Sequence, residues 1–272
     1  MVRSLWTAAT GMIAQQNNLD NIANNLSNVN TTGYKSQTNE FKSLLYQTVQ
    51  TRTTSANGEQ KPGTAQVGLG VRNASFNMIF TNGPMLSTDS NTAFAISGRG
   101  FFGVRGDDGN TYYTRNGSLL WTRESGGGVM LADSEGRPVL DSTGNPIILD
   151  DTYDASQVTV TADGTVCYPD ANGNPQSLGM TIGLFQFLNP VGLDKLDGTL
   201  YAQSAASGAP INEATSDTVQ KSSIFQNFLE GSNVQVVDEM VNMITTQRAY
   251  EFNSKAITAS DEMLQQANNL RA

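Results

Sequence analysis

Both ends of the chain carry apolar residues at a spacing of seven. The series near the N-terminus is Leu5, Met12, Leu19 and Leu26. A second series, three residues further on, is Ala8, Gln15, Ile22 and Val29. The series near the C-terminus is Val236, Met243, Tyr250, Ile257 and Leu264. This heptad spacing is typical of helices that pack along their length. It predicts two long terminal helices that pair through these residues, with the rest of the chain looped out between them.

The alternative is two ordinary amphipathic helices packed on a globular domain. It accounts well for one such series, but two series favour the paired helices. The C-terminal stripe is also wide, which suits a helix among several neighbours better than a helix with one partner. Its complementary heptad position is expected to be the increasingly polar series Met240, Gln247, Ser254, Asp261 and Asn268.

The N-terminal helix is crowded with asparagine on its remaining face. These residues are Asn17, Asn18, Asn21, Asn24, Asn25, Asn28 and Asn30. Asparagine is a poor helix former, and isolated helices are marginal even in favourable sequences. We therefore expect this segment to order only when its apolar series finds partners. The alternative is that the asparagines form a solvated face.

Between the terminal segments the pattern changes to short alternating runs separated by turn residues such as Asp163-Gly164 and Asn172-Gly173. Such spacing indicates successive hairpins. The predicted fold class is α+β, with paired coiled-coil terminal helices and an all-β middle domain. The predicted domains are a helical domain (1–30 plus 233–272), an intermediate region (31–72 plus 203–232) with an extended insertion at 44–67, and an outer β domain (73–202).

The composition of the chain excludes or disfavours several classes of function. The net charge of −9 disfavours binding to nucleic acid or anionic lipid. The chain has no histidine and a single cysteine, Cys167, so histidine-based catalytic schemes and an internal disulfide are excluded. No secretory signal and no apolar run of about 20 residues is present, which alone would predict a cytoplasmic protein.

Three short motifs are weak indications of chemistry. Gly98, Gly100 and Gly103 match a dinucleotide-binding spacing, but a strand and a turn follow where that site needs a helix. Arg105-Gly106-Asp107 spells an integrin-binding tripeptide at a position where a hairpin turn is expected. Asp150, Asp151 and Asp154 are best interpreted as solvated turn carboxylates. We predict no catalytic residue, no metal site, no cofactor and no small-molecule substrate.

One segment carries a specific resemblance. The run from Leu19 to Lys35, which includes Asn24, Asn25, Asn28, Asn30, Thr32, Gly33, Tyr34 and Lys35, resembles the signature of the flagellar rod and hook axial proteins. The first twelve residues, the run 229–251 and the run 96–102 are similar to the same family, and in particular to its distal-rod branch.

The resemblance implies a non-enzymatic subunit that assembles with copies of itself into a helical tube, the distal rod that transmits torque from motor to hook. It further implies that the paired helices line the channel of the tube. The implied partners are proximal-rod and hook-side axial proteins, with bushing-ring proteins and a rod cap as further candidates. The implied route is export through the flagellar type III apparatus to the cell envelope, which replaces the cytoplasmic prediction.

Two alternatives stay open at this stage. The chain could be a proximal-rod or hook subunit of the same family. It could also be a secreted β-rich enzyme that uses the cluster Asp150–Asp154.

Overall fold

A computed structural model describes residues 2–50, 65–124, 126–170, 173–216 and 218–270. It contains two long helices, α1 (Val2–Ser27) and α2 (Val236–Asn269). Two short 3-10 helices occupy Ala155–Gln157 and Pro190–Gly192. The paired terminal helices and the β-rich middle confirm the predicted α+β class.

The strands are short and run through the middle of the chain. In order they are β1 (Gln37–Ser43), β2 (Tyr46–Gln50), β3 (Ala65–Gly68), β4 (Val71–Met78), β5 (Met85–Ser87), β6 (Phe94–Ser97), β7 (Phe101–Arg105), β8 (Thr111–Thr114), β9 (Leu120–Arg123), β10 (Val129–Ala132), β11 (Ile148–Leu149), β12 (Thr159–Val160), β13 (Thr165–Pro169), β14 (Pro175–Thr181), β15 (Leu184–Gln186), β16 (Asp194–Lys195), β17 (Leu200–Ala202), β18 (Ile211–Asn212), β19 (Ser223–Gln226) and β20 (Phe228–Glu230).

The chain divides into two compact units. The helical unit comprises Met1–Ser27, Gln37–Met78 and Gln235–Ala272. In it α1 packs against α2, and two separate two-stranded antiparallel sheets form from β1 with β4 and from β2 with β3. Its described part buries few apolar side chains, namely Ala8, Ala14, Ile22 and Met78.

The β unit comprises Asn28–Ser36 and Ile79–Val234. Its largest sheet has six strands in the order β16-β17-β8-β7-β15-β18, and smaller antiparallel sheets of two and three strands surround it. The main cluster of buried apolar residues lies in this unit, with Phe94, Phe102 and Val104 among its members. Because burial of apolar surface is the dominant stabilising term, the β unit carries most of the stability of the chain.

Helix α1 has 26 residues and helix α2 has 34. Neither these nor any other helix in the described ranges is long and apolar enough to cross a bilayer.

Candidate functional site

The predicted interface residues of the terminal helices are only partly covered in the single chain. Ile22 is buried, whereas Leu5, Met12, Leu19, Leu26 and Val29 are half-buried. On α2, Met243, Ile257 and Leu264 are half-buried, and Val236 and Tyr250 are exposed. Leu19, Gln15 and Tyr250 line an open groove of about 400 Å³ in the helical unit. The apolar series is therefore not closed within one chain.

The complementary series on α2 differs from the prediction. Thr246 and Ser260 are buried, whereas Met240, Gln247 and Asp261 are exposed. The polar series that faces α1 is thus Glu239, Thr246, Asn253 and Ser260. The prediction was wrong because a heptad allows the second position to lie either three or four residues after the first, and sequence spacing does not decide between them.

The asparagines of α1 are not simply a solvated face. Asn25 is fully buried, and its amide pairs with the backbone of Gln37, accepting from the N–H at 3.0 Å and donating to the carbonyl at 2.9 Å. Asn21 donates to the same carbonyl at 2.8 Å. Asn25 also donates to Glu239 at 3.0 Å, and Asn18 donates to Thr246 at 3.0 Å. These amides hold the start of β1 and contact α2.

The remaining motif residues lie in the β unit, apart from the exposed Asn24 on α1. Asn28 is half-buried and Asn30 is exposed. Thr32 donates to Asn116 Oδ1 at 2.9 Å. Gly33 has a φ of +70°, and a Cβ there would stand 2.6 Å from the backbone nitrogen of Asn116. Only glycine meets both conditions, so this position fixes how the segment enters the β unit.

The side chain of Lys35 belongs to a buried cluster of charged residues. We call it the anchor cluster, and it consists of Lys35, Arg115 and Glu230. Nζ of Lys35 lies 2.6 Å from Oε1 of Glu230, and Nη1 of Arg115 lies 3.3 Å from Oε2. Lys35 also donates to the carbonyl of Thr81 at 2.7 Å, and the N–H of Gly83 donates to Glu230 at 3.0 Å. The cluster joins segments from both ends of the chain to the β core.

Burial is the leading influence on both cations. It lowers the pKa of Lys35, and the attraction of Glu230 opposes that change. Burial likewise lowers the pKa of Arg115, again against Glu230. The guanidinium of Arg115 lies 5.0 Å from the ring centre of Phe101. A further lysine outside the cluster, Lys195, places its Nζ 4.7 Å from the ring centre of Tyr34. Cation–π contact of this kind compensates part of the lost hydration.

Lys35 belongs to the family motif in the sequence, whereas no sequence pattern identified Arg115 or Glu230 as its partners. A signal for Glu230 is present, since a single carboxylate directly follows the apolar residues Phe228 and Leu229. A charge in such a setting is either exposed or paired. Arg115 has no comparable local signal, because its burial depends on long-range packing.

The glycine motif has a packing explanation. Gly98 and Gly100 lie between β6 and β7, and a strand follows as expected. A Cβ at Gly98 would overlap the hydroxyl of Ser222, and one at Gly100 would lie 2.5 Å from Oε1 of Glu213. These glycines let the backbone approach a buried pair of polar side chains, in which Ser222 donates to Glu213 at 2.9 Å.

The other weak motifs have structural roles. Arg105 donates to the carbonyl of Gly144 at 2.7 Å, so its guanidinium is held within the β unit. Asp154 caps the 3-10 helix Ala155–Gln157 by accepting from the N–H of Ser156. Cys167 is buried in β13. No group of three or more acidic, histidine or cysteine residues suited to a metal ion occurs in the described ranges.

Exposed apolar side chains concentrate on the helical unit. On α2 the most exposed are Val237 and Phe252, at 72% and 67%. On α1 they are Trp6 and Ile13, at 67% and 61%. Exposed apolar side chains grouped on one unit are typical of a surface that contacts other proteins.

Paired terminal helices with exposed apolar side chains are typical of structural subunits that assemble with other proteins. Three family models match the chain. "Flagella basal body rod protein" matches residues 5–35, "Flagellar hook protein FlgE/F/G D1 domain" matches 95–168, and "Flagellar basal body rod FlgEFG protein C-terminal" matches 226–270. The chain belongs to the flagellar basal-body rod protein family, and it is a structural protein of the basal-body rod rather than an enzyme.

Full-length relatives support this membership. The chain is 42% identical to "Flagellar basal-body rod protein FlgG" of Borreliella burgdorferi, over 100% of this chain and 99% of the relative. It is 36% identical to the FlgG of Bacillus subtilis over 100% of both. In the same organism, identity to "Flagellar hook-basal body complex protein FlhP" is 30% over 100% of both.

Proposed function

We propose that this chain is the distal-rod subunit of the flagellar basal body, and that it assembles with copies of itself into the straight tube that transmits torque from motor to hook. The full-length similarity to FlgG proteins supports this assignment. Its higher identity to FlgG than to FlhP in one organism favours it over other members of the rod and hook family.

Self-assembly is supported by the difference in apolar burial between the two units. The described part of the helical unit buries few apolar side chains, yet it exposes Trp6, Ile13, Val237 and Phe252. A pair of helices of this length is stable when its apolar face is covered. Further copies of the same chain would cover the half-buried series of α1 and α2, as the heptad spacing predicts.

The insertion 44–67 is proposed to lie between neighbouring subunits. Residues 51–64 fall outside the described residues, but the flanking strands β2 and β3 pair as an antiparallel ladder. Leu45 is 83% exposed, and Tyr46, Val67 and Leu69 are exposed as well. These side chains are proposed to anchor the insertion on a neighbouring subunit, and their exposure in one chain supports this.

We also propose which proteins the rod subunit contacts. A rod subunit between motor and hook would contact proximal-rod and hook-side axial proteins at its two ends. Bushing-ring proteins and the rod cap are candidates for its outer surface and its growing end. Export through the flagellar type III apparatus would deliver the subunit to the cell envelope.

The test is electron microscopy of concentrated purified protein. Straight tubes of constant diameter are the expected result. Curved tubes would favour the hook-type alternative. Protein that stays monomeric at every concentration and salt condition, while its β unit is folded, would contradict self-assembly.

A further inference from the structure

One side of α1 meets α2 through small and polar residues. Successive contacts lie seven residues apart on each helix. The residue numbers rise along α1 while they fall along α2. The contacts are Ser4 with Ser260, Gly11 with Asn253, Asn18 with Thr246, and Asn25 with Glu239. The hydroxyls of the first pair lie 3.2 Å apart, and the last two pairs are hydrogen bonds of 3.0 Å. We call this set the polar ladder.

The side-chain amide of Asn253 packs against Gly11, in the space that a Cβ would enter. A Cβ at Gly11 would lie 2.9 Å from Nδ2 of Asn253 and 3.1 Å from its Cγ. Gly11 lies in the middle of α1, where glycine is unfavourable relative to alanine. Space for Asn253, rather than helix formation, therefore explains a glycine at this position.

The apolar series cannot set the alignment of the helices by itself. It repeats every seven residues, so sliding α1 by one heptad again places apolar residues together. The polar ladder does not repeat in this way. A slide in either direction moves Asn253 away from Gly11 and against Ser4 or Asn18, both of which have side chains. It also separates Asn25 from Glu239. In one direction Asn25 then lies opposite a position before the start of α2, and in the other Glu239 lies opposite a position beyond the end of α1.

We propose that the polar ladder specifies the antiparallel register of α1 and α2, with Gly11 and Asn253 as its specificity-determining pair. Single polar positions are known to fix register in helix pairs at some cost in stability. The ladder assigns one side of each helix to pairing within the chain. The apolar faces of both helices are then left for other contacts. The register of α1 and α2 is the same whether or not tubes form.

Disulfide trapping tests the register directly. The full chain is prepared with Cys167→Ser and Ser4→Cys, and the second cysteine is placed in turn at position 260, 253 or 267. Dilute protein is oxidised mildly, and intrachain disulfides are quantified on the monomer band and mapped by mass spectrometry. We expect the 4–260 disulfide to form at least about tenfold faster than either alternative, which lies one heptad away.

The second stage tests the specificity pair. Gly11→Ala should lower the rate of the 4–260 disulfide at least about threefold, although alanine is the better helix former. Adding Asn253→Ala should restore the rate, because it removes the amide that meets the new methyl group. Asp20→Ala, at an exposed position of α1, is the control and should change nothing.

Equal rates at positions 253, 260 and 267, or no disulfide at any of them, would overturn the proposal. An unchanged rate in Gly11→Ala would also overturn it. Tube formation is scored separately by electron microscopy. Loss of tubes with the 4–260 preference intact contradicts the proposed function and not the ladder.

Discussion

Nζ of Lys35 lies 2.6 Å from Oε1 of Glu230, and neither side chain is accessible to solvent. Glu230 is also paired with Arg115, so one buried carboxylate is shared by two buried cations. Removing one partner of a buried ion pair is costly because it leaves an uncompensated charge. The pair joins the end of the family motif to the segment that precedes α2, which makes Glu230 the sensitive member of the anchor cluster.

Glu230→Gln is expected to destabilise the β unit by about 3–5 kcal/mol, since it leaves two cations without a counter-charge. Lys35→Met should cost less, because it leaves the Arg115–Glu230 pair neutral as a whole. Urea unfolding followed by the fluorescence of Trp121, in a Trp6→Phe background, measures both.

The control for this prediction is Glu251→Gln, which removes an exposed carboxylate paired with Arg248. Such pairs contribute about 1 kcal/mol or less. If Glu230→Gln were no more damaging than Glu251→Gln, the anchor cluster would have no role in stability.

The second prediction concerns hydrogen exchange. In a verified monomer, amides of α1 and α2 should exchange at least about a hundredfold faster than those of β7 and β8, because the helical unit buries so few apolar side chains. The polar character of the contact between α1 and α2 gives the physical reason for this difference. Protection of α1 equal to that of β7 in the monomer would contradict this prediction.

The third prediction tests the apolar series. Leu19→Asp should block tube formation while the β unit stays folded, because each copy would place a charge in a desolvated helix contact. Asn18→Asp is not a suitable comparison, because Asn18 donates to Thr246 and does not lie on a free face. Ala23→Asp, at an exposed position of α1, is the better control. Equal assembly of both variants would refute the heptad assignment.

The fourth prediction is a loss of stability at high pH. Burial raises the pKa of Tyr113 to about 12, and burial also raises that of Tyr201. A raised pKa in the folded state means that the neutral phenol is favoured there, so its stabilising contribution is complete below pH 10 and declines between about pH 10 and 12.

Tyr113→Phe should therefore flatten the fall of the urea midpoint above pH 10 while changing it little at pH 8. Tyr46→Phe, which alters an exposed ring, should leave the slope unchanged. A slope in Tyr113→Phe identical to that of the parent protein would show that this tyrosine does not govern alkaline stability.

The fifth prediction concerns the insertion. Deleting about Thr48 to Gln66 should permit folding and assembly but produce curved or flexible tubes, because a segment that bridges neighbouring subunits opposes their sliding. The curvature of the tubes by electron microscopy is the measurement. Straight tubes of unchanged stiffness would place the source of rigidity in the terminal helices.

The sequence alone determined the α+β class, the two terminal helices and the β-rich middle. Heptad spacing and turn residues are local signals, and each is read within a few turns of helix or one hairpin. The motif from Leu19 to Lys35 likewise indicated the family, because a long run of specific residues is hard to match by chance.

Tertiary structure decided which residues meet. The choice of Glu239 over Met240 for the series facing α1 required the actual crossing of the two helices, since a heptad permits both. The pairing of Asn25 with Gln37 and the burial of Arg115 beside Glu230 join residues that no local pattern connects. Their energies arise from desolvation and from partners distant in the chain, and these exist only once the chain is folded.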